Sequence, residues 1–405
     1  MKTLMTSLAA LALASAAAAA PAPAPQPGDQ LKLNQIQVVG THNSYSQPAD
    51  PRVFAVMKPL IQPTLDGMMK MMPPAMAARM ADEHPNPLGS DLQAGLEYVH
   101  PPIEMQLRAG LRSLEFDLNV DHEGGRFSDP LAYRLLREKG AKDLAPLYSD
   151  ALKEPGLKTL HAADIDFRSS CPTFRLCLQQ MRSWSDANPG HSPVFVLLEP
   201  KFNSLAGFAP GATKLIPFDA RAFAEMDASI GEILGRDKVV APDDLRGQHE
   251  TLEKAALAGA WPTVGQARGK FVFLMIVPGM NLAAFKPYLD GHPNLEGRLA
   301  FVQGEPGMAH AAFVMVDNAL TRGGEIKELV KTGRLVRSRS DIDTYEARQN
   351  DPARRDAALA SGAQVVSTDY PWAPNIFGNA YAVSPFDGGF RCNPVSGPCA
   401  KTPTR

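Results

Sequence analysis

The stretch Gln37-Val38-Val39-Gly40-Thr41-His42-Asn43-Ser44-Tyr45 decides how the chain is read. Its first part, with Ile36, is a short β-branched run that stops at Gly40, which predicts a buried strand. The residues after Gly40 then place a histidine and a side-chain amide oxygen at the strand's C-terminal tip. A His-Asn pair alone would be an ordinary polar turn, but three further strand-like runs also end in ionisable residues. Residues 111–118 carry Glu115 and Asp117, residues 157–161 end in His161, and residues 194–201 end in Glu199 and Lys201.

Four more strand-like runs lie at residues 271–277, 312–316, 335–339 and 364–369. Helical spacing fills the gaps at 103–110, 171–188, 220–234, 326–331 and 354–360. Eight strands alternating with helices predict an α/β fold, a distorted (β/α)8 barrel in one domain spanning residues 31–391. Residues 238–241 compete for the fifth strand. An open doubly wound sheet lacks support, because no Gly-rich phosphate loop follows any strand. The connection between the first two strands is too long to be simple and must hold structure of its own. It carries Met57, Met68, Met69, Met71, Met72, Met76 and Met80, and predicts an amphipathic helix or two broken at Pro63, Pro73 and Pro74.

The chain has 405 residues and 44% hydrophobic content, ample for a core of that size. A net charge of −2 gives no basic field for nucleic acid. Residues 1–20 have the basic start, apolar centre and small-residue end of a signal peptide, which predicts a secreted or periplasmic protein. Residues 21–30 form a Pro/Ala-rich tether expected to be disordered. Export suits four cysteines paired locally, Cys171 with Cys177 and Cys392 with Cys399, the second pair in a tail at 392–405. No apolar run of about 18 residues lies beyond the N-terminus, so no spanning helix is expected.

Residues i and i+2 of a strand point the same way, so Glu115 pairs with Asp117, and Glu199 with Lys201. Barrel strands converge at their C-terminal ends, bringing these groups together with His42, Asn43 and His161. Three packed carboxylates repel unless compensated, and a divalent cation compensates them. Asn43, Glu115, Asp117 and Glu199 offer only oxygen, which suits Ca2+ ahead of Mg2+ and excludes a zinc preference. The histidines are then free for proton transfer, and Lys201 suits a phosphate oxygen. Together these groups predict phosphodiester cleavage. His100 and His122, the rival histidines, read as surface residues.

The strings GTHNSY at 40–45, LEFD at 114–117 and FVLLEPK at 195–201, with the histidine after the third strand, resemble the secreted Ca2+-dependent phosphatidylinositol-specific phospholipase C family. So do residues 97–118, 163–178, 242–273 and 335–371, and the resemblance spans 33–390. It implies a phospholipid substrate at a membrane surface, with the inositol 2-hydroxyl attacking phosphorus to release diacylglycerol and a cyclic inositol phosphate. His42 would stabilise the phosphorane and His161 would be general acid, then base. Asn43, Glu115, Asp117 and Glu199 would hold Ca2+, with Glu115 or Glu199 taking the hydroxyl proton. Lys201 would bind phosphate, and Arg339 and Tyr370 would contact the headgroup. No protein partner is implied and a monomer is expected. Two rival readings stand beside this one. A glycerophosphodiester phosphodiesterase shares the barrel but usually starts His-Arg-Gly, where His42 here precedes Asn43. An inactive lipid-binding barrel would not need every site position filled.

Overall fold

A computed structural model describes residues 26–84, 92–147, 149–202, 209–277 and 281–399. The signal segment and the start of the tether lie outside the described residues. Residues 26–30, the end of the tether, form a turn docked on the barrel by an Asp29–Arg268 ion pair at 2.6 Å.

Among the described residues there are ten strands: β1 Ile36–Thr41, β2 Ser113–Asn119, β3 Lys158–Thr159, β4 Val194–Pro200, β5 Phe271–Met275, β6 Ala300–Val302, β7 Phe313–Asn318, β8 Leu335–Arg339, β9 Val365–Thr368 and β10 Arg391–Cys392. Eight of them run parallel in the order β6-β5-β4-β2-β1-β9-β8-β7. A parallel bridge from Gln303 to Phe313 brings β6 beside β7, so the barrel is nearly closed. Residues of β1, β2 and β5 are buried throughout, because a parallel strand is covered on both faces. Gly40 is obligatory where β1 meets β2, since a Cβ there would lie 2.1 Å from the Ser113 carbonyl oxygen.

The expected third strand is not a stave. Leu118 pairs with Thr159 and Asn119 with Lys158, so β3 folds back antiparallel on the tip of β2. The missing stave is β6, three buried residues too short to leave a run in the sequence. The competing segment 238–241 contributes one bridge, Val239 to Phe271, beside the β5 stave. β10 pairs antiparallel with β1, placing Cys392 opposite Ile36 at the foot of the barrel. Both expected disulfides are present, Cys171–Cys177 and Cys392–Cys399.

Among its described residues the long β1–β2 connection holds three α-helices, α1 Pro51–Met71, α2 Pro74–Glu83 and α3 Ile103–Arg108. Asp50 caps α1 by accepting from the Arg52 N–H, and Pro51 sits at its first position, where a missing N–H costs nothing. The expected break at Pro63 does not occur, and α1 runs through both Pro59 and Pro63 to Met71. An interior proline costs roughly 3 kcal/mol. Val53, Phe54, Met57, Ile61 and Leu65 are buried against the helix Leu131–Glu138, at about 1.5–3 kcal/mol each, which outweighs the two prolines. Both prolines are exposed, facing away from that packing. Among the described residues no helix is long and apolar enough to cross a membrane.

Candidate active site

The turn after β1 ties three strands together. The His42 N–H donates to the Thr368 carbonyl of β9, and the Ser44 N–H donates to the Glu115 carbonyl of β2. Ser44 Oγ in turn accepts from the Glu115 N–H at 2.8 Å. Asn43 bends the chain with φ of 44°, a left-handed conformation that asparagine tolerates. Its amide oxygen accepts from the Tyr45 hydroxyl at 3.1 Å and its amide nitrogen donates to the Tyr98 hydroxyl at 2.7 Å. Burial raises the Tyr45 phenol well above its ordinary value, and the nearby Asp117 carboxylate adds to that.

Glu115 and Asp117 share the inner face of β2, and the register places Glu199 of β4 directly beside Asp117. One carboxylate oxygen from each lies within 4.8 Å of the others. Burial raises Glu115 to about 7 against the opposing Arg337, and raises Asp117 to about 6 against the opposing Lys201. Lys201 lies 2.7 Å from Asp117 and also pairs with Glu199. Burial works against its charge, but those two carboxylates hold its ammonium above the ordinary value. Lys201 thus stands as a monovalent cation among the acids, its ammonium committed to them.

The donor set fits a hard cation. Both Asp117 carboxylate oxygens are buried and lack a hydrogen-bond donor in good geometry, even with Lys201 as an ion-pair partner. Three carboxylates at this spacing supply the oxygen ligands that Ca2+ takes, while the Asn43 amide oxygen accepts from Tyr45. A pH dependence follows. Glu115 and Asp117 bind protons more tightly folded than unfolded, so the folded state takes up protons between the ordinary carboxylate range and about pH 7. Cation-free stability therefore falls as pH rises through that window, and a divalent cation offsets the loss. The gain in Tm on replacing EGTA with Ca2+ is expected to be larger at about pH 8 than at about pH 5. Equal gains in a thermal melt at both pH values would contradict it.

Each histidine has its own carboxylate. His42 Nδ1 lies 2.9 Å from Asp369 Oδ1, and Asp369 Oδ2 accepts from Arg339 at 3.0 Å. Asp369 is itself held by its N–H donating to Asp341 Oδ1 at 2.7 Å. His42 Nε2 points toward Glu115, 3.8 Å away. Burial, then Arg339 and Arg337, keep His42 well below its ordinary value, so it is neutral with no anion bound. His161 arrives on the chain returning from β3 and bonds Asp166 through Nδ1 at 2.9 Å. Burial opposes its charge, but the Asp166 bond prevails and raises it. The two imidazoles meet edge to face, ring centroids 6.4 Å apart.

Arg339 therefore joins the cluster through His42 and Asp369. Tyr370 does not: it packs with Val39, Tyr98 and Tyr381 and donates its hydroxyl to the Glu97 carbonyl. His122 sits apart, near Glu225 at 3.8 Å, and it departs from the surface position expected of it, with both ring nitrogens buried. His100 too departs from the surface position expected of it. It is buried with Nε2 3.9 Å from Asp369 Oδ1, because residues 97–102 fold back over the mouth. Sequence reasoning also missed Asp166, Asp369 and Arg337. Arg337 contacts Glu115 at 3.0 Å and pairs with Asp317 on its other arm. The i, i+2 arginines of β8 carried a readable signal, since period two aims both at the barrel interior.

Residues 31–394 match the family profile described as phosphoinositide phospholipase C, Ca2+-dependent. Curated proteins give no match. Among solved structures, a calcium-dependent phosphoinositol-specific phospholipase C from a Gram-negative Pseudomonas species aligns at 12% identity and TM-score 0.47, over 85% of this chain and 92% of that one. A Ca2+-dependent phosphatidylinositol-specific phospholipase C from Streptomyces antibioticus aligns at 20% identity and TM-score 0.47, over 84% and 95%. The phosphatidylinositol-specific phospholipase C of Listeria monocytogenes gives 11% identity and TM-score 0.43, over 85% and 91%. With the profile matched from the turn before β1 to the tail after β10, the chain belongs to the Ca2+-dependent phosphoinositide phospholipase C family, a family of phosphodiester-cleaving enzymes.

Proposed function

We propose that the protein cleaves phosphatidylinositol to diacylglycerol and a cyclic inositol phosphate in a Ca2+-dependent reaction. The observation that carries this reading is the pair of imidazoles, each backed by its own carboxylate, facing each other beside three clustered acids. Glu115, Asp117 and Glu199, with Asn43, would hold the cation. Ca2+ supplies positive charge that lowers the pKa of the attacking hydroxyl.

The chain's own groups do the rest. The inositol 2-hydroxyl oxygen forms a bond to phosphorus while its proton passes to a carboxylate. Glu115 or Glu199 would take that proton, and Glu115 lies 3.8 Å from His42 Nε2. The bond from phosphorus to the glycerol oxygen breaks, and His161, held protonated by Asp166, delivers its proton to that oxygen. The neutral His161 is then the base for any water attack on the cyclic product. A phosphoryl anion counters Arg337 and Arg339 and, with Asp369 behind the ring, favours imidazolium at His42. Its Nε2–H can then donate to the phosphorane oxygen. Arg339 lies next to the same position. Lys201, displaced from the acids by a cation, would turn to a phosphate oxygen.

Two disulfides support an oxidising destination for the protein, in line with export. The test is an assay of the purified mature protein on phosphatidylinositol, glycerophosphodiesters and sphingomyelin, each with Ca2+ and with EGTA. Turnover of phosphatidylinositol alone, and only with Ca2+, is expected. Preference for a glycerophosphodiester would replace this reading with the rival one.

A further inference from the structure

His100 is a buried side chain that the proposed reaction leaves without a role. It lies on the segment 94–102, just before α3, and both sides of the barrel mouth hold that segment. From the region after β8, Arg348 pairs with Glu97, and the Thr344 hydroxyl donates to the Ala94 carbonyl at 2.6 Å. After β9, the Tyr370 hydroxyl donates to the Glu97 carbonyl at 2.9 Å. From the turn after β1, the Ser46 carbonyl accepts from the His100 N–H at 3.2 Å, and the Gln47 side-chain amide donates to the His100 carbonyl at 3.1 Å. The His100 backbone is thus fixed at both its donor and its acceptor, which limits where the ring can point.

The ring is fully buried, and neither of its nitrogens has a hydrogen-bond partner in good geometry. Leaving a buried donor unpaired is costly. Two acceptors face it: Nε2 is 3.9 Å from Asp369 Oδ1, and the ring also faces the His42 backbone carbonyl. Burial holds His100 below its ordinary value, so the ring is neutral and offers a single N–H. A bond to an ionised acceptor is roughly twice as strong as one to a neutral acceptor, which puts that proton on Nε2, facing Asp369. A shift of about 1 Å brings the pair within hydrogen-bond range. Asp369 gains from it. Burial pushes its carboxyl up against the opposing Arg339, yet it must stay ionised to orient His42 at 2.9 Å. His42 and Arg339 take one bond each at its two oxygens, which leaves lone pairs for a further donor. A neutral donor steadies the carboxylate without adding positive charge beside His42, which the proposed reaction makes imidazolium; a lysine or arginine would repel it.

We propose that His100 is a positioning residue: its Nε2–H donates to Asp369 Oδ1 and holds that carboxylate, ionised and in place, behind His42. This deepens the proposed function and rests on it for the effect on turnover, whereas the contact itself is read without turnover. His100 touches neither phosphorus nor the leaving group and acts only through Asp369.

The test uses the mature full-length protein and the variants His100→Gln, His100→Leu, Asp369→Asn and His100→Leu/Asp369→Asn. Glutamine keeps an N–H at the reach of Nε2, whereas leucine fills the space without one. On phosphatidylinositol with Ca2+, His100→Leu is expected to lose about tenfold in kcat with KM and Tm little changed, within the range for coupled neighbours. His100→Gln is expected to recover most of that loss. In the double variant, losing His100 should add little to the Asp369→Asn defect. Wild-type kcat in His100→Leu overturns the proposal. So does a defect that His100→Gln shares, or one that adds in full to Asp369→Asn, since either marks packing alone. Nitrogen NMR of histidine-labelled protein reads the contact directly. The His100 ring, identified by the signal missing from His100→Gln, is expected in the neutral Nε2–H form, with its proton shifted by Asp369→Asn. An Nδ1–H ring, or a signal unmoved by Asp369→Asn, overturns the contact. If the wild type shows the contact but cleaves no phosphatidylinositol, the proposed reaction fails while His100 stands as the group that holds Asp369.

Discussion

His161→Ala is expected to lower kcat on phosphatidylinositol by about 10^2- to 10^4-fold, the range for losing a positioned general acid. His42→Ala should fall in the same range through loss of its charge at the phosphorane. The two differ in one readout. On the proposed mechanism His161 protonates the leaving oxygen, so a substrate whose leaving group departs readily as an anion, such as a nitrophenyl inositol phosphate, should recover most of the loss in His161→Ala. It should recover little in His42→Ala, whose ring faces Glu115 and Arg339 at the phosphorus side of the site. Asp166→Asn should reproduce part of the His161 defect, because Asp166 holds that ring's tautomer and charge at 2.9 Å. His122→Ala, whose ring lies near Glu225 and outside the cluster, should be close to wild type. If His122→Ala were inactive and His161→Ala normal, the assignment of the second histidine would be wrong.

Asp117→Ala carries the second large effect. Asp117 is buried, both its oxygens lack a hydrogen-bond donor in good geometry, and it lies between Glu115 and Glu199. Removing it takes one charge from the proposed ligand set, and Ca2+ affinity measured by calorimetry should fall about 10^2-fold or more, beyond the range for losing a group that only supports a ligand. Activity at low Ca2+ should fall with it and partly return at high Ca2+. Lys201→Met should behave oppositely in binding. It removes a cation from the same acids, so Ca2+ should bind more tightly while KM for the lipid rises. Loss of Ca2+ affinity in Lys201→Met would mean that Lys201 organises the acids rather than competing for them.

Much of the barrel was legible because parallel staves are buried on both faces and leave continuous apolar runs, as at β4 and β5. Two strands show the limit. The run at 157–161 reads as a short strand, but sequence says nothing of direction, and β3 is an antiparallel return. β6 is three residues long and leaves no period to read. The prolines of α1 read as breaks because the burial that outweighs them is tertiary. The site divides in the same way. Glu115, Asp117 and Glu199 follow from period two and strand ends, properties local to each strand. The groups that set protonation are distant or irregular. Asp369 is 327 residues from the His42 it orients, and Asp166 sits in an irregular turn. His100 looked like a loop histidine because nothing local shows that its loop folds over the mouth.

The central claim is that the three-acid cluster serves a Ca2+-dependent phosphodiester cleavage by the paired histidines. Phosphorus NMR of phosphatidylinositol vesicles with the mature protein tests it most directly. With Ca2+, the diester resonance should give way to that of a five-membered cyclic inositol phosphate; with EGTA it should persist, and adding Ca2+ back should restart the reaction. A cyclic product forming equally fast in EGTA, or no product in Ca2+ from a folded protein shown to bind the ion, would contradict the account.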